Sequence, residues 1–197
     1  ASVWTRDVAL SIEQLEKLRG KEIKGRELGR TRASQNRRQQ RIDTENKRIE
    51  EGMNYFKNIS AHELMVAGLA LYAGEGSKTK RTVCFCNSDP LIIKLMINWL
   101  RICFGVTDDR FRLAVGINEI HRSRENLVKD YWSNVTNLKS IHFNKTSFKK
   151  VQSKKVYTNF NQHFGTLDIK ILRSTQIYYK IAGLIRGLLS QGNSVAE

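Results

Sequence analysis

In Val66-Ala-Gly-Leu-Ala-Leu-Tyr-Ala-Gly-Glu-Gly-Ser-Lys78, the residues Ala67, Ala70 and Gly74 fall at i, i+3 and i+7. A helix through them carries a stripe without bulk, along which a second backbone can approach closely. From His62 to Gly74 the segment is apolar and small almost throughout, the pattern of a buried helix. Glu75 then stands at its C-terminus, where the macrodipole is negative and a carboxylate is disfavoured by roughly 0.3–1 kcal/mol. A cation reverses that sign. If two copies of the helix pack through the stripe, two carboxylates and several terminal carbonyl oxygens converge, and hard oxygen donors of that kind suit Mg²⁺ or Mn²⁺. Taken alone, Glu75-Gly76 also reads as an ordinary helix end with glycine at the C′ position.

Downstream, helix and strand alternate. Arg81 to Asn87 (RTVCFCN) is rich in strand formers, and Ser88-Asp89-Pro90 supplies a cap with proline at the first helical position. The helix that follows is expected to bury Ile92, Leu95, Met96, Trp99, Ile102 and Cys103, with Lys94, Asn98 and Arg101 opposite. Arg110 to Asn118 (RFRLAVGIN) alternates at period two, with Phe111, Leu113, Val115 and Ile117 on a core face and Arg110, Arg112, Ala114, Gly116 and Asn118 on a wet, basic one. Glu125 to Val135 reads as helix. A lysine-dense stretch (Lys145, Lys149, Lys150, Lys154, Lys155) precedes a last strand, in which Leu167, Ile169 and Ile171 alternate with Thr166, Asp168 and Lys170. A terminal helix is capped near Ser174 and carries Ile177, Ile181, Leu184, Ile185 and Leu188 at helical spacing. The class is mixed α/β, of the α+β kind.

Upstream, residues 11 to 51 are poor in apolar side chains and cannot build a core. Ser11 followed by Gln14 has the form of a capping box, and Gly20, Gly25 and Gly29 each weaken a helix by about 1 kcal/mol relative to Ala. The expectation is an interrupted basic helical arm, ordered on DNA, over residues 1–60; a solvated linker is the alternative. Residues 61–191 form the domain and 192–197 a tail. In 197 residues, 34 Lys and Arg against 19 Asp and Glu leave a net charge of +15. With 14 basic and 9 acidic side chains in the first 60 residues, most of that excess lies in the domain itself. A polyanion, nucleic acid first, is the expected partner.

No stretch approaches the roughly 18 consecutive apolar residues of a membrane span, and the opening residues lack a secretory signal. An intracellular location is expected, in cytoplasm or nucleoid, or in an organelle of a eukaryote. Cys84, Cys86 and Cys103 cannot build a disulfide framework or a four-thiolate zinc site; Cys84 and Cys86, on one strand face, are read as packing. His62, His121, His142 and His163 lack ligand spacing and are read as surface or cap residues, while Trp99 and Trp132 are read as core.

The run Ala70-Leu-Tyr-Ala-Gly-Glu-Gly-Ser77, followed by Asn87-Ser-Asp-Pro90 and an amphipathic helix, resembles the LAGLIDADG homing endonucleases, whose signature helix closes in a similar Gly-Glu-Gly-Ser form. The likeness, which runs from about His62 to Leu189, is to a bacterial and archaeal branch with a Gly-Glu-Gly-Ser-Lys and Asn-Ser-Asp-Pro pattern. Ala70 stands where a small glycine is usual, and Ala73 where many members carry Asp. The resemblance implies an αββαββα saddle with a mostly antiparallel sheet lying along DNA. It also implies one motif per chain and hence a homodimer through Ala67, Ala70 and Gly74, on a (pseudo)palindromic double-stranded site. Glu75 would be the catalytic, metal-binding acid, and the Gly74 carbonyl would share the Mg²⁺ or Mn²⁺. Cleavage would leave 5′-phosphate and 3′-hydroxyl ends. In that arrangement Arg110, Arg112, Asn118, Thr166 and Lys170 would face the major groove. Lys78, Lys80, Arg81 and the cluster Lys145, Lys149, Lys150, Lys154 and Lys155 would hold phosphates. In this branch a helix-turn-helix is expected upstream of the arm, with Val3-Trp4-Thr5-Arg6 as its end. The rival is a cleavage-inactive transcriptional regulator on the same scaffold; RNA binding through charge alone is a third option, without a module signature.

Overall fold

A computed structural model describes residues 9–79, 81–150 and 160–191. The chain divides into two compact units, Ala1–Asn58 and Ile59–Glu197.

The first unit is built on one helix, α1 (Ile12–Tyr55), of 44 residues, none of them buried. The Ser11 capping box forms: the Ser11 hydroxyl accepts from the Gln14 amide, and the Gln14 side chain accepts from the Ser11 amide. The expected interruption is absent, because α1 runs unbroken through Gly20, Gly25 and Gly29. The cost of the glycines is local and roughly 1 kcal/mol each, and nothing tertiary demands a break. Exposed i,i+4 and i,i+3 pairs, Glu22 with Arg26, Gln39 with Asp43, and Arg48 with Glu51, lace its surface.

The second unit runs α2 (Ala61–Glu75), β1 (Cys84–Asn87), α3 (Pro90–Phe104), β2 (Phe111–Asn118), α4 (Glu125–Thr136), β3 (Ser147–Lys149), β4 (Thr166–Ile171) and α5 (Thr175–Gln191). The order αβαβαββα corrects the αββαββα that the resemblance implies. After β1 the chain enters α3 rather than a hairpin, since Asp89 caps it through the Leu91 amide at 2.7 Å and the segment has a strong apolar stripe to bury. The sheet order is β1-β4-β2-β3, with β1/β4 and β4/β2 antiparallel and β2/β3 parallel.

Phe85, the four odd-numbered residues Phe111 to Ile117, and Leu167, Ile169 and Ile171 are all buried, whereas the alternate residues are half-buried or exposed. One sheet face therefore carries the core, and the other leaves its described residues half-buried or exposed. On α3 the buried stripe is Ile93, Met96, Ile97 and Leu100 with Trp99, rotated from the expected one; Ile102 is exposed. Trp99 and Trp132 are fully buried. Their indoles fix neighbouring elements, Trp99 Nε1 donating to the Met65 carbonyl at 3.2 Å and Trp132 Nε1 to the Phe164 carbonyl at 2.9 Å. His121 is not a surface residue: it is buried, with its ring stacked on Phe160 at 4.2 Å. The Arg124 guanidinium donates to the carbonyls of Phe160, Asn161 and His163 and lies 3.1 Å from His121 Nδ1.

Candidate nucleic-acid interface and metal position

The signature segment begins with a capping box that the sequence reading passed over. Ser60 Oγ accepts from the Glu63 amide at 3.2 Å, and Glu63 returns a carboxylate to the Ser60 amide at 2.7 Å. That pair of bonds holds the Glu63 carboxyl below its ordinary pKa. From there α2 buries Leu64, Gly68, Leu69 and Tyr72. Gly68 is where two elements nearly touch, since a Cβ there would lie 2.2 Å from the Trp99 ring. Ala70 and Gly74 are exposed and Ala67 half-buried, so the small-residue stripe faces away from the chain's own core.

The helix stops at Gly76, but not through a left-handed glycine. Its backbone is extended (φ −71°, ψ 151°), and a Cβ at Gly76 would sit 2.5 Å from the Tyr72 carbonyl oxygen and 2.7 Å from the Tyr72 ring. The glycine answers a close approach: Gly76 bridges to Phe85, and the Ser77 amide donates to the Cys84 carbonyl at 3.0 Å. The Tyr72 hydroxyl donates to the Ser77 carbonyl at 3.3 Å, and burial pushes that phenol up to about 12. The Tyr178 hydroxyl donates to the Lys78 carbonyl at 2.9 Å, tying the next turn to α5. Glu75 is thereby held exposed at the rim of the sheet, beside β1.

Across the open sheet face the register sets Cys84, Lys170 and Arg112 in one row and Cys86, Asp168 and Ala114 in the next. Thr166, Gly116 and Ser147 follow, and then Asn118 with Lys149. Arg112, Asn118, Lys149, Thr166 and Lys170 thus share one surface. Arg112 bends back, donating to the carbonyls of Asp109 at 2.8 Å and Phe111 at 2.7 Å. The Asn118 side chain accepts from the Ile120 amide at 3.0 Å, and Thr166 Oγ donates to the Gly116 carbonyl at 3.3 Å.

Arg110 does not join them. It precedes β2, and its guanidinium donates to the carbonyls of Leu172 and Arg173 at 3.0–3.2 Å, closing the β2/β4 end of the sheet. Lys78, Arg81, Lys145 and Lys150 are exposed around the sheet. Lys80, Lys154, Lys155, the Val3–Arg6 segment and the 192–197 tail lie outside the described residues.

Two residues of this face were not selected from sequence, Asp168 and Cys86. Phe85, not the cysteines, is the inward residue of β1, and Cys86 is exposed. Desolvation of its sulfur pushes the Cys86 thiol up, with the Asp168 and Glu75 carboxylates adding and a hydrogen bond with Thr166 and the Lys149 ammonium opposing. Those influences put Glu75, Asp168 and Lys149 around one patch. The period-two pattern of the last strand already sets Asp168 on the same face as Thr166 and Lys170, but its negative charge kept it out of a phosphate-binding set; no local signal marks Cys86.

Among the described residues no group of three or more His, Cys, Asp or Glu side chains could hold a metal ion. One chain offers Glu75 and the last carbonyls of α2, which lack intrahelical partners. That is fewer donors than Mg²⁺ takes, although Mg²⁺ keeps several waters and binds through as few as one or two carboxylates. Both donors are hard oxygens, the kind such a cation takes. Among the described residues no helix is long and apolar enough to cross a membrane. No protein-family model, curated protein or solved structure matches the chain.

Proposed function

We propose that the chain is a LAGLIDADG-type, divalent-metal-dependent endonuclease that acts on double-stranded DNA as a homodimer. The observation that carries this reading is the position of Glu75. It lies at the exposed C-terminus of a helix whose small-residue face is outward, pinned beside an open sheet face that bears Arg112, Lys149 and Lys170. The element order departs from the family's saddle. The reading rests on the helix, the acid and the sheet, and on the resemblance of Ala70 to Ser77 and Asn87 to Pro90.

In this reading two copies pack through Ala67, Ala70 and Gly74, and Glu75 and the Gly74 carbonyl of each would hold Mg²⁺ or Mn²⁺. Such an ion supplies charge neutralisation at the scissile phosphoryl group and lowers the pKa of water. The protein's own residues bind and orient. Lys78, Arg81, Lys145, Lys149 and Lys150 pair with phosphates, while Asn118, Thr166 and Lys170 face base edges. Asp168, in the middle of the face, repels phosphate and accepts from a base amino group, so it contributes to site choice rather than to general affinity.

The test is plasmid cleavage on a selected site with Mg²⁺ or Mn²⁺, beside a gel shift. Glu75→Gln keeps size and removes the charge a cation needs, so cleavage should fall below detection while binding stays within a few-fold. Cleavage by the variant would place the chemistry elsewhere. The second reading, a regulator that binds without cutting, is favoured by one observation: Ala73 adds no carboxylate to α2 beside Glu75, and among the described residues no group of three or more His, Cys, Asp or Glu side chains could hold a metal ion. Specific binding by the wild type without cleavage in either metal would establish it.

A further inference from the structure

Helix α1 orders its charges. Arg19, Arg30 and Arg41 repeat at eleven residues, and so do Arg26, Arg37 and Arg48. At about 100° per residue these six side chains fall within an arc of about 60° and run for about 44 Å along the helix. An eleven-residue spacing drifts by only about 20° in three turns, so the row stays nearly straight. None of the eight acidic residues of α1 lies inside that arc, and neither does any of its four lysines. All six arginines are exposed. Their contacts are weak and local: Arg26 with Glu22, Arg48 with Glu51 at 2.7 Å, and Arg37 Nε to the Ala33 carbonyl at 3.3 Å. Exposed pairs of this kind are readily exchanged for a stronger anion.

We propose that this arginine row is a second DNA-binding surface, which takes the phosphates of a duplex independently of the sheet face. Arginine's planar fork pairs two phosphate oxygens at once, which a lysine cannot do. A duplex offers one negative charge per about 1.7 Å, so a straight row of about 44 Å meets more phosphates than it has arginines. A lipid surface would need an apolar face opposite the charges, but the large apolar residues of α1 (Ile12, Leu15, Leu18, Ile23, Leu28, Ile42, Ile49, Met53 and Tyr55) are spread round the helix, and the side opposite the row also carries Lys17, Lys21 and Lys24. The surface contributes affinity without reading sequence. This inference rests on the nucleic-acid part of the proposed function and not on cleavage.

The test uses the full chain, metal-free, and a fluorescent random-sequence duplex, with affinity followed against salt. In one variant the six row arginines become Gln. In the other the six basic residues on the remaining faces, Lys17, Lys21, Lys24, Arg32, Arg38 and Lys47, become Gln, so both lose the same charge. Gln keeps helix propensity near that of Arg and Lys, and circular dichroism checks that α1 persists. The row variant should lose about three to five from the slope of log affinity against log salt, at about 0.9 per phosphate contact, and the control less than about one. Equal losses in the two variants, or none in the row variant, overturn the inference. An unchanged duplex affinity with lost binding to single-stranded RNA overturns it too and gives the row to RNA. A wild type that binds no duplex refutes the underlying nucleic-acid reading instead.

Discussion

Helices α1 and α2 are opposite solutions to the same backbone. The first is polar on every side, spans 44 residues and buries none of them; the second is apolar nearly all round, spans 15 and buries four. Both start with a complete capping box, so initiation does not distinguish them. What differs is the partner. A Cβ on Gly20, Gly25 or Gly29 would meet nothing within 4 Å, whereas at Gly68 it would meet the Trp99 ring. Glycine in α1 is a tolerated weakness, and at Gly68 of α2 it is the reason that two elements can touch.

The largest effect that tests this contrast is Gly68→Ala. Trp99 is fully buried and holds the Met65 carbonyl, so it cannot step aside; overpacking costs about 1–3 kcal/mol, and the upper end is expected. Urea unfolding of the variant, read by tryptophan fluorescence, would show it, and an unchanged midpoint would mean that α2 and α3 can separate at no cost. Next is Ser174→Ala. Buried Ser174 does not cap its own helix with its hydroxyl but accepts from the Val83 amide at 2.9 Å and donates to the Ile171 carbonyl at 2.8 Å. Truncation strands a buried amide, for a loss of about 1–3 kcal/mol. Exposed Ser34→Ala in α1 should stay within about 0.5 kcal/mol.

Gly25→Ala reverses the sign of Gly68→Ala. It removes a helix-weakening residue in open space, so α1 should gain about 1 kcal/mol, seen as a higher helical melting temperature by circular dichroism. A loss would reveal a contact on that face.

The smallest effect is a pH dependence confined to the compact unit. Burial, with His163 and Arg124 adding, holds His121 below its ordinary pKa. A guanidinium cannot accept a hydrogen bond, so Nδ1 must accept from Arg124 and stay unprotonated. The unfolded chain therefore binds the proton more readily. The stabilisation is complete above the ordinary value of about 6.5 and declines as pH falls through it toward the depressed folded value. Urea midpoints of wild type should drop between neutral pH and pH about 5 more than those of His121→Phe; equal drops would mean that the ring is solvated in the native state.

What the sequence determined by itself are the features that depend on neighbours in the chain. The period-two pattern of Phe111 to Asn118 fixed which face of β2 is core, and Asp89-Pro90 marked the start of α3, because side-chain direction and capping act within a few residues. The α2 stripe and the acid at its end were legible for the same reason. Tertiary structure decided the rest. Arg110 has the parity of a sheet-face residue, but the end of β4 supplies it with two carbonyls, so it closes the fold instead. His121 became buried because Phe160 and Arg124 surround it. Phe85 rather than its flanking cysteines turned inward, and β3 joined β2 in parallel over residues about thirty positions away. Such outcomes depend on contacts between distant segments, whose formation reflects the competition of all segments for one core rather than any local pattern.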